Sequence, residues 1–207
     1  MARTKNLAVR SMLIDRAAQL LRERQPVTLR GLVAGTEVST MAVYTYFDGI
    51  DGLWRAVRQE GFTRLATRLT EVPTTDDPVH DLAALGSAYL SNALTNPDLY
   101  RVMFDAGVDL EDAAAADATL DRLVTAVQSA KSDDRFRADV DPLDLATQSW
   151  TIGHGLAGLV ATGPLPPAAL NYGIPMLTAL FIGAGDEPQR CTQSVTTGWR
   201  ISEERYP

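Results

Sequence analysis

The chain has 207 residues, 45% apolar and 22% charged, with a formal net charge of −7. That composition suits an ordinary globular chain, long enough to bury a sizeable core in one or two domains. No apolar run reaches the roughly 18 residues of a membrane helix, no apolar segment follows the basic N-terminus as a secretory signal requires, and the single cysteine, Cys191, excludes an internal disulfide framework. The expectation is a cytoplasmic protein with no membrane partner. Charge is unevenly spread. Residues 1–70 hold eleven Lys/Arg and six Asp/Glu, a balance of +5, and the remainder holds eight and twenty, a balance of −12. A basic end on an acidic body suits a protein that offers one face to a polyanion and repels it elsewhere; the alternative is chance clustering on solvated helix faces.

Alternation of period two is absent and helical spacing recurs, so the chain reads as all-α. Leu13, Ala17, Leu20 and Leu21 line one face of a first helix that ends near Arg24, ahead of Pro26. Thr28 is a suitable N-cap for a second helix over 29–35, Val38 plugs the turn, and Ser39 caps a third helix ending near Phe47. Asp48-Gly49 breaks that helix. A long fourth one then runs from about Asp51 to Glu71 through Leu53, Trp54, Val57, Phe62, Leu65 and Leu69. The segment VPTTDDP at 72–78 reads as a linker, placing one domain at 1–71 and a second at 72–185. Further helices are expected at about 79–95, 97–107, 113–131, 141–162 and 166–183. Several of these open at proline, where the missing N–H costs nothing. The tail 186–207 shows no clear period, its order is left open, and Trp199 has no evident role there.

The stretch TLRGLVAGTEVSTMAVYTYFDGIDGL at 28–53 carries the sharpest functional signal. Two short helices around a tight turn present the second helix to a DNA major groove, which is about 12 Å wide and admits one helix. Leu32, Val33, Val38, Val43 and Phe47 are spaced to pack inward. Ser39, Thr40, Met41, Tyr44, Thr45 and Tyr46 are then left as DNA-facing candidates. Thr40, Met41 and Thr45 are placed for base edges, and Tyr44 and Tyr46 for phosphates; the alternative for the tyrosines is half-buried packing. Thr28 and Arg30 are candidates to clamp the backbone, and Arg3, Lys5 and Arg10 form a candidate arm for a minor groove or nearby phosphates.

These residues resemble the N-terminal domain of TetR-type bacterial transcription regulators, through TLRGLV at 28–33, VS at 38–39 and VYTYF at 43–47 followed by Leu53. The likeness covers roughly residues 8–70. NPDLYRVMF at 96–104 and WTIGHGLAGLV at 150–160 look like the C-terminal domain of a subgroup marked by Trp150, His154 and Gly155. The resemblance implies an all-helical homodimer, with an N-terminal three-helix helix-turn-helix domain and a C-terminal domain that binds a small molecule. Two departures stand out. The family usually has glycine where this chain has Glu37, and a phosphate-gripping lysine where it has Ile50.

In the second domain, Tyr89, Tyr100, Met103, Phe104, Gln148, Trp150 and His154 are the ligand-binding candidates, with Arg101 a further polar anchor. A small apolar or amphipathic ligand fits such a lining, although helical spacing of this kind also describes plain core. Small residues on the helices at 141–162 and 166–183 (Gly153, Gly155, Ala157, Gly158, Ala161, Ala179, Gly183), with Leu156, Leu159, Leu177 and Phe181, suit a four-helix homodimer interface; the alternative is packing of the same pair within one chain. No cofactor, metal site or catalytic constellation is expected, because His80 and His154 are far apart and no phosphate loop or nucleophile elbow is present. The sequence is thus read as a ligand-responsive repressor binding a palindromic double-stranded DNA operator as a dimer, not an enzyme. The alternative is a helical small-molecule-binding protein whose DNA binding is weak or lost.

Overall fold

The computed structural model describes residues 2–104, 110–112, 114–161 and 163–200, with only the backbone described for 2–6 and 115. Among them are ten α-helices and no strand: α1 (Ala2–Arg22), α2 (Leu29–Val33), α3 (Met41–Phe47), α4 (Ile50–Thr70), α5 (Pro78–Thr95), α6 (Pro97–Met103), α7 (Ala114–Ser132), α8 (Pro142–Ala161), α9 (Gly173–Ala184) and α10 (Pro188–Gly198). A 3₁₀ turn, Pro167–Tyr172, precedes α9. The chain forms two compact units. One comprises Met1–Arg64 and Asn96–Ala115; the other comprises Leu65–Thr95 and Ala116–Pro207.

In the first unit Leu13, Ala17 and Leu20 of α1 meet Leu32, Val43, Phe47, Leu53 and Val57, and Leu99 of α6 completes this core. The division falls inside α4, not at the 72–78 linker, because α6 packs on α4. Arg58 Nε donates to the Met103 carbonyl at 2.8 Å, the Phe62 and Phe104 rings stand 5.5 Å apart, and Gly61 sits so close that a Cβ there would lie 2.4 Å from Met103 Cγ.

The second unit is built around α5, which packs against α8 and α10. The tail that showed no period is helical from Pro188, with the Glu187 side chain accepting the amides of Gln189 and Arg190. It buries Cys191, Ser194 and Val195. Trp199 finds its role at the end of that helix: it is 5% exposed, and its indole N–H donates to the Leu170 carbonyl at 3.2 Å. Its ring fills niches left by two glycines, since a Cβ on Gly86 or Gly173 would lie 2.8 or 2.0 Å from the ring. The stretch Pro167–Ala184 has the length and apolarity of a membrane span, contrary to the expectation from the sequence. It is, however, interrupted by the 3₁₀ turn, and Leu170, Leu177 and Phe181 are buried in the second unit.

Arg135, on the loop after α7, is only 2% exposed and ties three segments together. Its Nε and Nη2 donate to both oxygens of Asp186 at 2.6 and 2.7 Å, and Nη1 donates to Asp77 at 2.8 Å. Asp77 in turn accepts the Val79 and His80 amides at the start of α5 and the Ser194 hydroxyl of α10. Burial pushes the Asp77 carboxyl up, but the Ser194 hydroxyl, the His80 amide and the Arg135 guanidinium outweigh it and hold the group below the usual carboxylate range.

Two predictions follow from this packing. Trp199→Ala empties both glycine niches and should cost about 3–5 kcal/mol, read as a lower urea midpoint; an unchanged midpoint would mean that the wedge contributes nothing. Asp77 has a folded pKa below its unfolded one, so its stabilisation is present at neutral pH and lost as pH falls through the folded value. Asp77→Asn should therefore be less stable than the parent near neutrality, and the two urea midpoints should converge below about pH 4.

Candidate DNA-reading helix and ligand cavity

The turn between α2 and α3 begins from a well-capped helix. Thr28 is extended, and its Oγ1 accepts the Gly31 amide at 3.1 Å. α2 ends at Val33, two residues before the expected 35, because Gly35 takes a positive φ of 74°. The left-handed residue of this turn is therefore Gly35, and Glu37, exposed and without positive φ, bears no strain there. Val38 is only partly buried, packed against the first unit's core. α3 starts at Met41 with Thr40, not Ser39, in the N-cap position; Ser39 contributes its carbonyl, which accepts the Ala42 amide at 2.9 Å. α3 ends where Asp48 turns left-handed, with a φ of 57°.

Val43 and Phe47 are buried on one side of α3. Met41, Tyr44 and Thr45 lie at helical i, i+3, i+4 spacing on the other side, Met41 64% and Tyr44 51% exposed. Thr45 is exposed with its hydroxyl donating back to the Met41 carbonyl. Thr28, Arg30 and Ser39 are exposed and Thr40 is half-buried. Tyr46 differs from Tyr44: it is half-buried against the core and edge-on to Phe47. Ile50, at the family's lysine position, also packs on that core.

The basic arm takes another form. α1 begins at Ala2, so the backbone around Arg3 and Lys5 is helical, and their side chains lie outside the described residues. Arg10 is engaged within its unit, paired with Glu111 at 2.6 Å and stacked over the Phe47 ring. Because residues 96–115 belong to this unit, it carries eleven Lys/Arg and eleven Asp/Glu, and the +5 balance of residues 1–70 does not describe it.

The second unit holds a small cavity whose wall is made of Leu69, Leu82, Leu85, Leu123 and Leu177, with Gly86, Tyr89, Thr119, Ser149, Trp150 and Gly153. About 30 Å³ of it is open to water centres, room for about two waters. Tyr89 and Trp150 line it. His154 stands behind Tyr89, with Nδ1 2.8 Å from the tyrosine hydroxyl and its ring 5.2 Å from that of Trp150. Burial lowers the His154 pKa, so the ring is neutral at physiological pH.

The other ligand candidates lie elsewhere. Tyr100, Met103 and Phe104 belong to the first unit, where Phe104 packs between Phe62 and Tyr100. Gln148 borders a separate cleft with Leu145 and Ala179, and Arg101 is exposed beside Asp98. They share helical spacing with Tyr89, and spacing does not say which face meets a void. Gly86 and Gly153 form part of the cavity wall, which helical spacing does not mark; Gly153, expected on a dimer face, is buried and faces Tyr89. Leu156, Ala157, Leu177 and Phe181, also expected at that interface, are buried within the unit. The outer side of α8 and of the segment containing α9 instead exposes Leu143, Leu159, Tyr172 and Met176, while Gly155 and Gly183 would each take a Cβ with nothing within 4 Å.

A capped helix-turn-helix in one unit and an apolar cavity in the other are the two features of this all-helical fold. Residues 82–172 match the family model described as "Tetracyclin repressor-like, C-terminal domain". Among solved structures, a protein of unknown function from Rhodococcus sp. RHA1 is similar at 25% identity with a TM-score of 0.74, over 86% of this chain and 96% of that one. CprB, a TetR family protein from S. coelicolor A3(2), is similar at 21% identity with a TM-score of 0.67, over 95% and 99%. RolR in complex with resorcinol is similar at 17% identity with a TM-score of 0.64, over 93% and 95%. No curated protein matches by sequence. The chain thus resembles TetR-type regulators in fold and, over residues 82–172, in sequence.

Proposed function

We propose that the chain is a ligand-responsive transcription repressor of the cytoplasm, without enzymatic activity, that binds a palindromic operator as a homodimer. The unit of residues 1–64 and 96–115 supplies DNA binding, and the unit of residues 65–95 and 116–207 supplies ligand binding and dimerisation. The observation that carries this reading is α3, with Val43 and Phe47 buried and Met41, Tyr44 and Thr45 exposed opposite them after a capped turn. Tyr44 is the better phosphate contact of the two tyrosines, because Tyr46 is drawn into the core. The exposed Leu143, Leu159, Tyr172 and Met176, with open glycines at 155 and 183, favour a partner copy on α8 and α9. A dimer supplies the paired reading helices that a palindrome requires.

The switch follows from the cavity. α4 begins at Ile50, directly after the reading helix and its Asp48-Gly49 turn, and its Leu69 forms part of the cavity wall. A ligand that enlarges the cavity moves that helix. It lowers operator affinity only by its differential binding to the two states. RolR with resorcinol illustrates what this fold can hold. A second reading, a helical ligand-binding protein with little DNA affinity, is favoured by the even charge of the first unit and by Ile50 in the lysine position.

Mobility shift on the chain's own promoter DNA separates the two; no retention at low salt would overturn the regulator reading. In the same assay Tyr44→Phe should weaken binding by about 1 kcal/mol, equally for operator and unrelated DNA, whereas unchanged binding would return Tyr44 to packing. Ile50→Lys should tighten binding and steepen its salt dependence, the slope growing by about one phosphate contact per subunit. A flat response would mean that position 50 does not face phosphate.

A further inference from the structure

The lining of the second unit's cavity restricts what can occupy it, and three observations narrow the class. The first is charge. Among the described residues no charged side chain lines the cavity. The nearest in sequence is Arg122, beside Leu123, and its Nη2 lies 3.4 Å from the Leu69 and Val72 carbonyls at the end of α4. It borders a different pocket, which it shares with Asp81 and Asp133. Burial lowers the pKa of His154, which stands behind the lining residue Tyr89. A buried unpaired charge is strongly disfavoured.

The second observation is the direction of hydrogen bonding. The Ser149 hydroxyl donates to the Leu145 carbonyl at 2.8 Å and the Thr119 hydroxyl to the Ala116 carbonyl at 2.6 Å. Their protons are committed to their own helices, and their oxygens retain acceptor capacity. Tyr89 and neutral His154 form one donor–acceptor pair. Such a wall rewards a ligand that brings an O–H donor over one that only accepts.

The third is space. Gly86 is backed by the Trp199 ring, 2.8 Å from where its Cβ would be, so that wall cannot recede. Trp150 is half-buried and is the wall able to give. Room for about two waters is much nearer to one small ring than to a polycyclic molecule. We infer that this cavity takes a small uncharged monocyclic aromatic ligand carrying a hydroxyl donor, a phenol-type molecule, with Ser149 and Thr119 as the accepting oxygens. The inference rests on the reading of this cavity as the effector site.

Gly153 provides a test that does not depend on damaging the fold. A Cβ there would meet the Tyr89 ring at 3.8 Å, an ordinary contact, so Gly153→Ala adds a methyl at the cavity wall while favouring the helix. Calorimetric titration of the full chain with phenol, anisole and benzoate near neutral pH should show phenol binding roughly 3- to 10-fold tighter than anisole and at least about 100-fold tighter than benzoate. The preference for phenol over anisole should vanish in the Ser149→Ala, Thr119→Val double variant. Gly153→Ala should weaken both neutral probes without lowering the melting temperature of the free protein. Anisole equal to phenol, benzoate equal to phenol, no binding of phenol, or phenol affinity indifferent to Gly153→Ala would each overturn the assignment. If phenol binds as expected and no promoter DNA is retained in the mobility shift, the cavity assignment stands and the regulator reading fails.

Discussion

The second unit depends on how α10 is held against α5. Gly198 brings the two backbones together, for a Cβ there would lie 2.2 Å from the His80 carbonyl oxygen, and Trp199 then reaches past it into the niches at Gly86 and Gly173. Arg135 fastens the other end, bonding Asp186 just before α10 and Asp77 just before α5. A buried arginine is costly unless its donors are satisfied. Here Asp186 takes a two-toothed contact and Asp77 a third, so the charge is matched where it is least solvated. With α5 fixed on this side, its opposite side can afford an imperfection, and the cavity beside Leu82, Leu85 and Tyr89 is that imperfection.

In the first unit the corresponding constraint is apolar. Leu32, Val43, Phe47 and Leu53 are buried together with Leu13 and Ala17 of α1, which fixes α3 with few polar contacts of its own. Seven residues are too few for a stable isolated helix, so its exposed side is free to be chosen for recognition. Electrostatics contribute less than the sequence implied. Arg10 is spent on Glu111 and Phe47, and Arg64 on Asp15 and Glu60. In the proposed DNA complex, attraction to phosphate falls to exposed groups such as Arg30.

Much of this was legible locally, and what was missed has physical causes. Helices opened by proline, at Pro97 and Pro142, were placed within a residue of their observed starts because proline fixes φ and needs no donor there. α10 escaped because its buried side is made of Cys191, Ser194, Val195 and Gly198, small residues that leave no stripe of large apolar side chains to read. The turn glycine was sought at position 37 and works at 35, since the motif fixes that a left-handed residue is needed but not its register. The membership of 96–115 in the first unit rests on contacts across some forty residues, such as Arg58 with Met103. No periodicity encodes these.

The cavity and the reading helix make opposite use of the same residue types. In α3, Thr45 spends its hydroxyl proton on the Met41 carbonyl and faces solvent, where water supplies any further bond at no cost. In the cavity wall, Thr119 and Ser149 do the same toward Ala116 and Leu145, among leucines. Swelling the cavity against leucines on α4, α5, α7 and α9 costs packing. In the proposed switch, the state that fits the ligand is therefore destabilised without it, and this difference supplies the differential affinity between two states.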